Sequence, residues 1–395
     1  MTMRPLDRRQ LSHVMSPAHE LRHIRPRRRA APRQRRFAGA VEMLEPRMLL
    51  AFDPSPMEQA MLVDLNRMRT DPLGELTVLF DQLDPLHAPD PEIQQSLEFF
   101  DVDAASFLAQ WLDLQPVPPL AWNESLQSAA AAHSQRMLQF DQQSHQLPGE
   151  SSAGDRVRAA GYPWIVLAEN LYAFAQSTLH AHAAFAIDWG DSPTGIQEPP
   201  GHRNTMMDGR VQEVGISILP TDDPQKSVGP LLVTQDFGRR SDYQPQIVGV
   251  VFHDRNENGR YDAGEGLGGV EIVVTGPSGT YHTTTKSAGG YQRVVPAGTY
   301  TIIALATALT VPIQIDSVTI DRQNVNVDLA AQLRSPLPGD SNHDGQFDRL
   351  DLVLVLQAGK YGSAQPARFE EGDWNVDGVF DRLDIVFVLQ ARIYT

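Results

Sequence analysis

The sequence predicts a multidomain protein with a mixed α/β first part, an all-β middle and a small α-helical end. Three observations predict it. Helically spaced apolar residues followed by strand-like runs occupy residues 53–243, and short strands separated by turn residues occupy 244–334. A stretch starting at Gly339, GDSNHDGQFDRLDLVLVLQ, then returns 33 residues later at Gly372 as GDWNVDGVFDRLDIVFVLQ.

With 395 residues, a formal net charge of −16 and no cysteine, the chain is long enough for two to four domains and has no disulfides. The charge is unevenly placed. Residues 1–50 hold 12 Arg and 4 acids, whereas the remainder carries 21 bases against 45 acids. That balance excludes nucleic acid and anionic membrane surfaces as partners of the folded part, and it suits a chain that binds divalent cations. No apolar run approaches the ~18 residues needed to span a bilayer.

The first part begins with MEQAMLVDLNRMRTDP, where Met57, Met61, Leu62, Leu65 and Met68 share a helix face that Asp71-Pro72 closes. In NESLQSAAAAHSQRMLQF, Asn123 is the expected N-cap and Leu126, Ala130, His133 and Met137 line one face. QEVGISILP and GPLLVTQDFG read as an antiparallel pair across a polar turn. Between them lie His145, Glu169, Asp188 and His202, a set that suits Zn²⁺ or another divalent ion. They are 24, 19 and 14 residues apart, so spacing alone favours solvated loop histidines.

The ordered series LNRMRTDP, PLAWNESLQSAAAAHSQRM, SHQ, DRVRAAGY, AENLY, PGHRNTMM, QEVGISI and VTQDFG resembles the CAP superfamily in its bacterial form. The resemblance implies an α-β-α sandwich over 53–243 with a groove formed by His145, Glu169, Asp188 and His202. Asp188, where the family usually has Glu, is placed by its offset from the His202 motif. The resemblance further implies a groove for a metal, lipid or peptide. The alternative is a metal-dependent hydrolase, with His145 and His202 on the metal and Glu169 as base. His133, on the apolar face, is expected to be packed and hydrogen-bonded. Leu73 to Pro116 is an insertion relative to the family and is expected to form short helices over the core.

In the middle part, DRNENGRYDAGE places Asp254, Asn256, Asn258, Asp262 and Glu265 at positions 1, 3, 5, 9 and 12 of a calcium loop. Gly259 falls at position 6 and the Arg260 carbonyl at position 7. Strands rather than helices flank it, with GVEIVVTG, TYHTTTKSAGGYQRVV, GTYTIIALA, VPIQIDSVTI and NVNVDLAA reading as a β-sandwich. This segment resembles the calcium-binding B-type repeats of bacterial surface adhesins, which implies a stiffened spacer. Lys286 lies in the wrong stretch for the isopeptide bond of a related module.

After a Pro-containing linker from Arg334, the repeat fills the same loop positions twice. The first set is Asp340, Asn342, Asp344, Gln346 (carbonyl), Asp348 and Asp351; the second is Asp373, Asn375, Asp377, Val379 (carbonyl), Asp381 and Asp384. Phe347 and Phe380 are expected to turn inward. The helices that follow carry apolar stripes of Leu352, Val353, Leu356 and of Ile385, Val386, Leu389, with no helix entering either loop. A loop plus one helix, twice, resembles a type I dockerin over 335–395. That implies folding on Ca²⁺ and attachment to a cohesin-like or cell-envelope partner, although Arg349-Leu350 and Arg382-Leu383 replace the small hydroxyl residues usual there.

Residues 1–52 are Arg-rich without amphipathic period and are expected to be disordered or removed. LEPRMLLA, at Leu44 to Ala51, resembles the LEPR-type leader of planctomycete secreted and surface proteins. It implies a secreted or cell-surface location.

Overall fold

The computed structural model describes residues 52–333, 337–342 and 346–391. The LEPR-type motif, most of the leader and Asp344 of the first C-terminal loop lie outside the described residues.

Helix α1 (Pro56–Thr70) starts with a capping box. Ser55 Oγ accepts from the Glu58 N–H at 3.3 Å, and Glu58 Oε2 accepts from the Ser55 N–H at 2.9 Å. Asp71 ends α1 and caps α2 (Pro72–Leu79), which opens the insertion. Next come a small hairpin, β1 (Gln82–Leu83) and β2 (Leu86–His87), then α3 (Pro91–Phe100) and α4 (Ala104–Leu112). Leu79, Ile93, Leu97, Phe107 and Trp111 of the insertion enter the main core, where Trp111 Nε1 donates to the Pro72 carbonyl at 2.7 Å. The insertion is therefore part of the interior and not an edge ornament.

The central sheet has the order β3 (Ala121–Trp122), β5 (Glu213–Pro220), β6 (Leu231–Arg240), β4 (Trp164–Ala175). The two expected strands β5 and β6 pair antiparallel, and β4 forms the edge. Because strand side chains alternate between faces, each strand feeds two cores. Helix α5 (Glu124–Phe140), capped by Asn123, packs on one face, where Met137 meets Leu171, Ala173 and Leu232. Helices α1 and α7 (Thr178–Ile187) cover the other, packing Met61, Leu65 and Phe185 against Tyr172, Val233 and Phe237. Two short helices, α6 (Ala153–Ala159) and α8 (Gly201–Met206), flank the edge strand, and the result is an α-β-α sandwich.

Strands β7 to β14 form the β-rich middle. One sheet holds β7 (Gln246–Phe252), β10 (Gly290–Val294), β13 (Val325–Asn326) and β14 (Leu329–Ala330). The other has the order β12 (Ile313–Ile320), β11 (Gly298–Leu305), β8 (Glu271–Gly276), β9 (Gly279–Thr284). Ile247, Val251, Ile272, Val274, Ile302 and Leu329 fill the space between them. One reading of the sequence is corrected. TYHTTTKSAGGYQRVV is not a single strand, because a turn breaks it into β9 and β10, which belong to different sheets. Within that turn Gly289 takes φ +81° and its N–H donates to the Lys286 carbonyl at 2.8 Å, a backbone conformation open chiefly to glycine.

The middle part is docked on the first. Gln292 Oε1 accepts from the Trp122 N–H at 3.0 Å, and its Nε2 donates to the Trp122 carbonyl at 3.1 Å. Asn324 Nδ2 donates to the carbonyls of Pro119 and Gln212, at 2.9 and 3.0 Å. Ala60 of α1 packs with Val250, Phe252 and Tyr261.

At the C-terminus, α9 (Arg349–Gln357), a 3-10 turn (Phe369–Glu371) and α10 (Arg382–Ala391) surround Phe347, Val355, Trp374, Phe380 and Val388. Both phenylalanines face inward as expected. Of the apolar stripes, Leu352 and Ile385 touch this core, whereas Val353, Leu356, Val386 and Leu389 are exposed. So small an interior has room for about one ridge per helix, and the remaining apolar residues face out.

Candidate functional site

The four candidate residues form two imidazole–carboxylate pairs, His145 with Glu169 of edge strand β4 and His202 with Asp188. His145, in the loop between α5 and α6, places Nδ1 2.8 Å from Glu169 Oε1. The other oxygen of Glu169 is bound by the Arg156 guanidinium from α6. Arg156 is itself fixed by the carbonyls of His145 and Ser151, at 3.0 and 3.1 Å. Burial alone raises the Glu169 carboxyl, but the His145 hydrogen bond and the Arg156 charge outweigh it and hold the group below its usual range.

Asp188 forms the second pair. It ends α7 in the left-handed region at φ 61°, which the short polar side chain of Asp tolerates. Fully buried, it accepts from the His202 N–H at 2.8 Å and the Arg203 N–H at 3.3 Å, so it caps the start of α8. Its Oδ1 lies 2.7 Å from His202 Nδ1 and accepts from Gln197 Nε2, also at 2.7 Å. Pro200 at the N-cap of α8 offers no side-chain acceptor, which explains why a carboxylate from another helix takes that role.

Asn170 joins the two pairs. It follows Glu169 on β4, and its Nδ2 donates to the His202 carbonyl at 3.2 Å. Both imidazoles are therefore anchored to the same two-residue stretch of an edge strand. In each ring Nδ1 is held by a carboxylate, and Nε2 has no hydrogen-bond partner among the described residues. His145 is the more accessible, with its side chain 42% exposed against 14% for His202. His133 is fully buried between Glu150 Oε1 and the Ser144 carbonyl, both at 2.9 Å, and so has no free nitrogen.

Sequence reasoning missed Arg156 and Asp236. Arg156 sits in the DRVRAAGY motif, where nothing marks it as the partner of a residue 13 positions on. Asp236, in VTQDFG, is the cross-strand partner of Glu169; it is fully buried and neither carboxyl oxygen has a hydrogen-bond partner. Burial first, then the negative charge of Glu169, pushes the Asp236 carboxyl well above its usual range. An acid whose folded-state pKa is raised favours the folded state below the ordinary carboxylate range. That contribution is lost as pH climbs through that range toward the raised value. Asp236→Asn is expected to raise stability at pH 7 and to leave it nearly unchanged near pH 3. Denaturant midpoints at the two pH values check this.

The three acidic loops share a backbone plan. In the middle part, Glu265 accepts from the N–H groups of Arg255 and Asp262, both at 2.9 Å. Asp254 accepts from Asn258 and Gly259, at 3.1 and 2.7 Å. In the last loop Asp384 accepts from Asn375 at 3.0 Å and Asp381 at 2.8 Å. Asp373 there accepts from Asp377 and Gly378, both at 2.9 Å. Asp351 likewise accepts from Asn342 at 3.1 Å and Asp348 at 2.8 Å. Gly259 and Gly378 take φ +76° and +93°, with open space where a Cβ would stand. Asp at position 12 now has a reason: with Asp348 as N-cap, Asp351 is the third residue of a capping box that starts α9. Asp340, Asp351, Asp373, Asp384 and Glu265 are all buried, and the donor set is all oxygen, including Asn256, Asn258 and Asn375 and the carbonyls of Arg260, Gln346 and Val379. This set fits a hard cation such as Ca²⁺. Among the described residues no three His, Asp or Glu side chains converge as a preassembled metal centre. The groove offers two imidazoles, and the loops combine carboxylates with amide and main-chain oxygens.

Among solved structures, the chain is similar to an extracellular protein containing an SCP domain from Bacillus anthracis, at 20% identity and a TM-score of 0.25. That match covers 38% of this chain and 40% of the other, so the chain spans less than half of that relative. It is also similar to an outer surface protein of Borrelia burgdorferi (15% identity, TM-score 0.25, covering 37% of this chain and 94% of that one). A cohesin–X–dockerin complex from Acetivibrio cellulolyticus matches at 16% identity and a TM-score of 0.20, over 38% of this chain and 96% of that one. Similarities this low carry no weight for fold or function. No curated protein matches the chain. No described helix is long and apolar enough to cross a membrane. Residues 83–237 match the family model described as "CAP: Cysteine-rich secretory protein family", and this cysteine-free stretch, which holds all four groove residues, is a CAP domain.

Proposed function

We propose that this is an exported binding protein whose CAP groove holds a divalent ion, Zn²⁺ by ligand chemistry, on Nε2 of His145 and His202. One observation supports it above the others: each imidazole is aimed by a carboxylate whose own oxygens are fully engaged. Such carboxylate–imidazole pairs fix the tautomer and raise the basicity of a metal-binding histidine. A bound ion would supply a Lewis-acidic anchoring point for an oxygen donor on a lipid or peptide. The alternative, a hydrolase with Glu169 as base, is less well supported. Glu169 is bound by Arg156 and held below the usual carboxylate range, so it is a poor proton acceptor near neutral pH. Ca²⁺ would hold the three acidic loops, and the C-terminal unit would attach the protein to a cohesin-like or cell-envelope partner. The matched family's description as secretory, together with the leader motif, supports a location outside the cytoplasm.

Titration of the intact protein with Co²⁺ under saturating Ca²⁺ tests the groove. The expected result is a visible absorption band from nitrogen-coordinated Co²⁺, displaced by Zn²⁺ and lost in His145→Ala and in His202→Ala. Asp188→Asn is expected to weaken the site by about 10–100-fold while both rings remain. The same band in the double variant His145→Ala/His202→Ala would refute the assignment.

A further inference from the structure

A second cavity lies away from the CAP groove, where the CAP-side helix α1 and strand β3 face strands β7, β9 and β10 of the middle part. It measures about 120 Å³, and its walls include Phe52, Leu62, Trp122, Val248 and Tyr291. Most of this wall is carbon. Phe52 stacks on Trp122 with ring centroids 5.4 Å apart, which gives a flat aromatic side.

Two polar groups in the wall are unspent. Gln59 is 4% exposed and lines the cavity, yet its amide makes no hydrogen bond among the described residues. It is held against the bare Cα of Gly290, where a Cβ would stand 2.0 Å from Gln59 Oε1. Trp122 Nε1 is also buried without an acceptor. Leaving a buried donor unpaired costs about 1–3 kcal/mol, so the Trp122 N–H calls for an acceptor, while the Gln59 amide is open to the same cavity. The wall is also rigid, because Gln292 grips both the N–H and the carbonyl of Trp122 across the seam.

The charges around the cavity do not favour an ion. Lys286 and Glu124 both line the cavity with opposite charges, and the Asp328 carboxyl is already taken by Asn326 Nδ2 at 2.7 Å and the Val250 N–H at 3.0 Å. Flat aromatic walls, an unpaired amide and an unpaired N–H together match a small planar ring that bears a neutral amide or carbonyl.

We propose that this interdomain cavity is a binding site for a small uncharged ring compound with an amide or carbonyl group, held between Phe52, Trp122 and Tyr291 with Gln59 as its polar anchor. Bound there, such a ligand bridges the two parts of the chain. The site is independent of the metal groove and of the calcium loops.

Benzamide is the probe. Titrated into the intact, Ca²⁺-saturated protein and followed by indole N–H resonances in NMR, it is expected to move one signal saturably. That signal is the one missing from Trp122→Phe. Gln59→Leu, which keeps the volume and removes the amide, is expected to weaken benzamide binding about tenfold or more. Its unchanged near-ultraviolet circular dichroism serves as the check on folding. Benzoate and benzylammonium are expected to bind more weakly than benzamide. The proposal is overturned if no indole signal moves, if the moving signal persists in Trp122→Phe, if Gln59→Leu binds equally well, or if either charged analogue binds more tightly.

Discussion

Chelation with EDTA is expected to unfold the C-terminal unit while the CAP domain stays folded. Among the described residues the unit's hydrophobic core holds five buried side chains, Phe347, Val355, Trp374, Phe380 and Val388. So few apolar side chains do not outweigh the conformational entropy of ordering the segment. Asp340, Asp351, Asp373 and Asp384 are nevertheless buried in or beside that core. A cation at a thousand times its dissociation constant contributes about 4 kcal/mol per site, on the scale of a small domain's entire stability. The measurement is a two-step thermal melt followed by Trp374 fluorescence. EDTA should abolish the lower step, and added Ca²⁺ should restore it. Asp384→Ala, removing a fully buried carboxylate that also receives the N–H groups of Asn375 and Asp381, should act like EDTA. A lower step unchanged by EDTA would exclude calcium as the unit's folding partner.

Arg156→Met should cost about 3–5 kcal/mol, the usual loss when one partner of a buried ion pair is removed. The side chains of Arg156 and Glu169 are 8% and 4% exposed, so solvent offers little compensation. Without the guanidinium, Glu169 keeps only its imidazole neighbours to offset burial and the facing Asp236 carboxyl. The variant should also loosen His145, whose carbonyl Arg156 holds, and so weaken Co²⁺ binding beyond the loss of stability. Denaturant unfolding gives the first effect and metal titration of the folded variant the second. Adding Asp236→Asn to Arg156→Met should recover part of the loss, because it removes the carboxyl that opposes Glu169. Equal stability of wild type and Arg156→Met would remove the pair from any account of the groove.

Much of the first part could be read from local pattern. Asn123 caps α5, and Asp71-Pro72 ends α1 where the apolar period stops. The backbone plan of the acidic loops could also be read, since it depends on consecutive positions. The two imidazole–carboxylate pairs could be read only as an ordered list of residues. Nothing local says that Asp188 reaches α8, since a carboxylate that caps another helix leaves no trace in its own neighbourhood. Asp236 becomes visible only with the sheet register, which sets it opposite Glu169. The failures have physical causes too. A strand pattern does not show a chain crossing between sheets, as at Ser287 to Gly289. Helical apolar stripes do not say how much of themselves is buried, because periodicity records how many residues could be buried and the volume available decides how many are.

Helix α1 has a consequence beyond the groove. Met61, Leu65 and Met68 point into the CAP core, whereas Ala60 and Val63 meet Val250, Phe252 and Tyr261 of the middle part. Tyr261 belongs to the acidic loop itself, between Asp254 and Glu265. One helix thus serves two interiors, and the acidic loop that carries Tyr261 leans on the same helix as the CAP core. Cutting the chain near residue 243 would leave Ala60 and Val63 of α1 as a bare apolar flank, so the first part taken alone would expose surface that the middle part now covers.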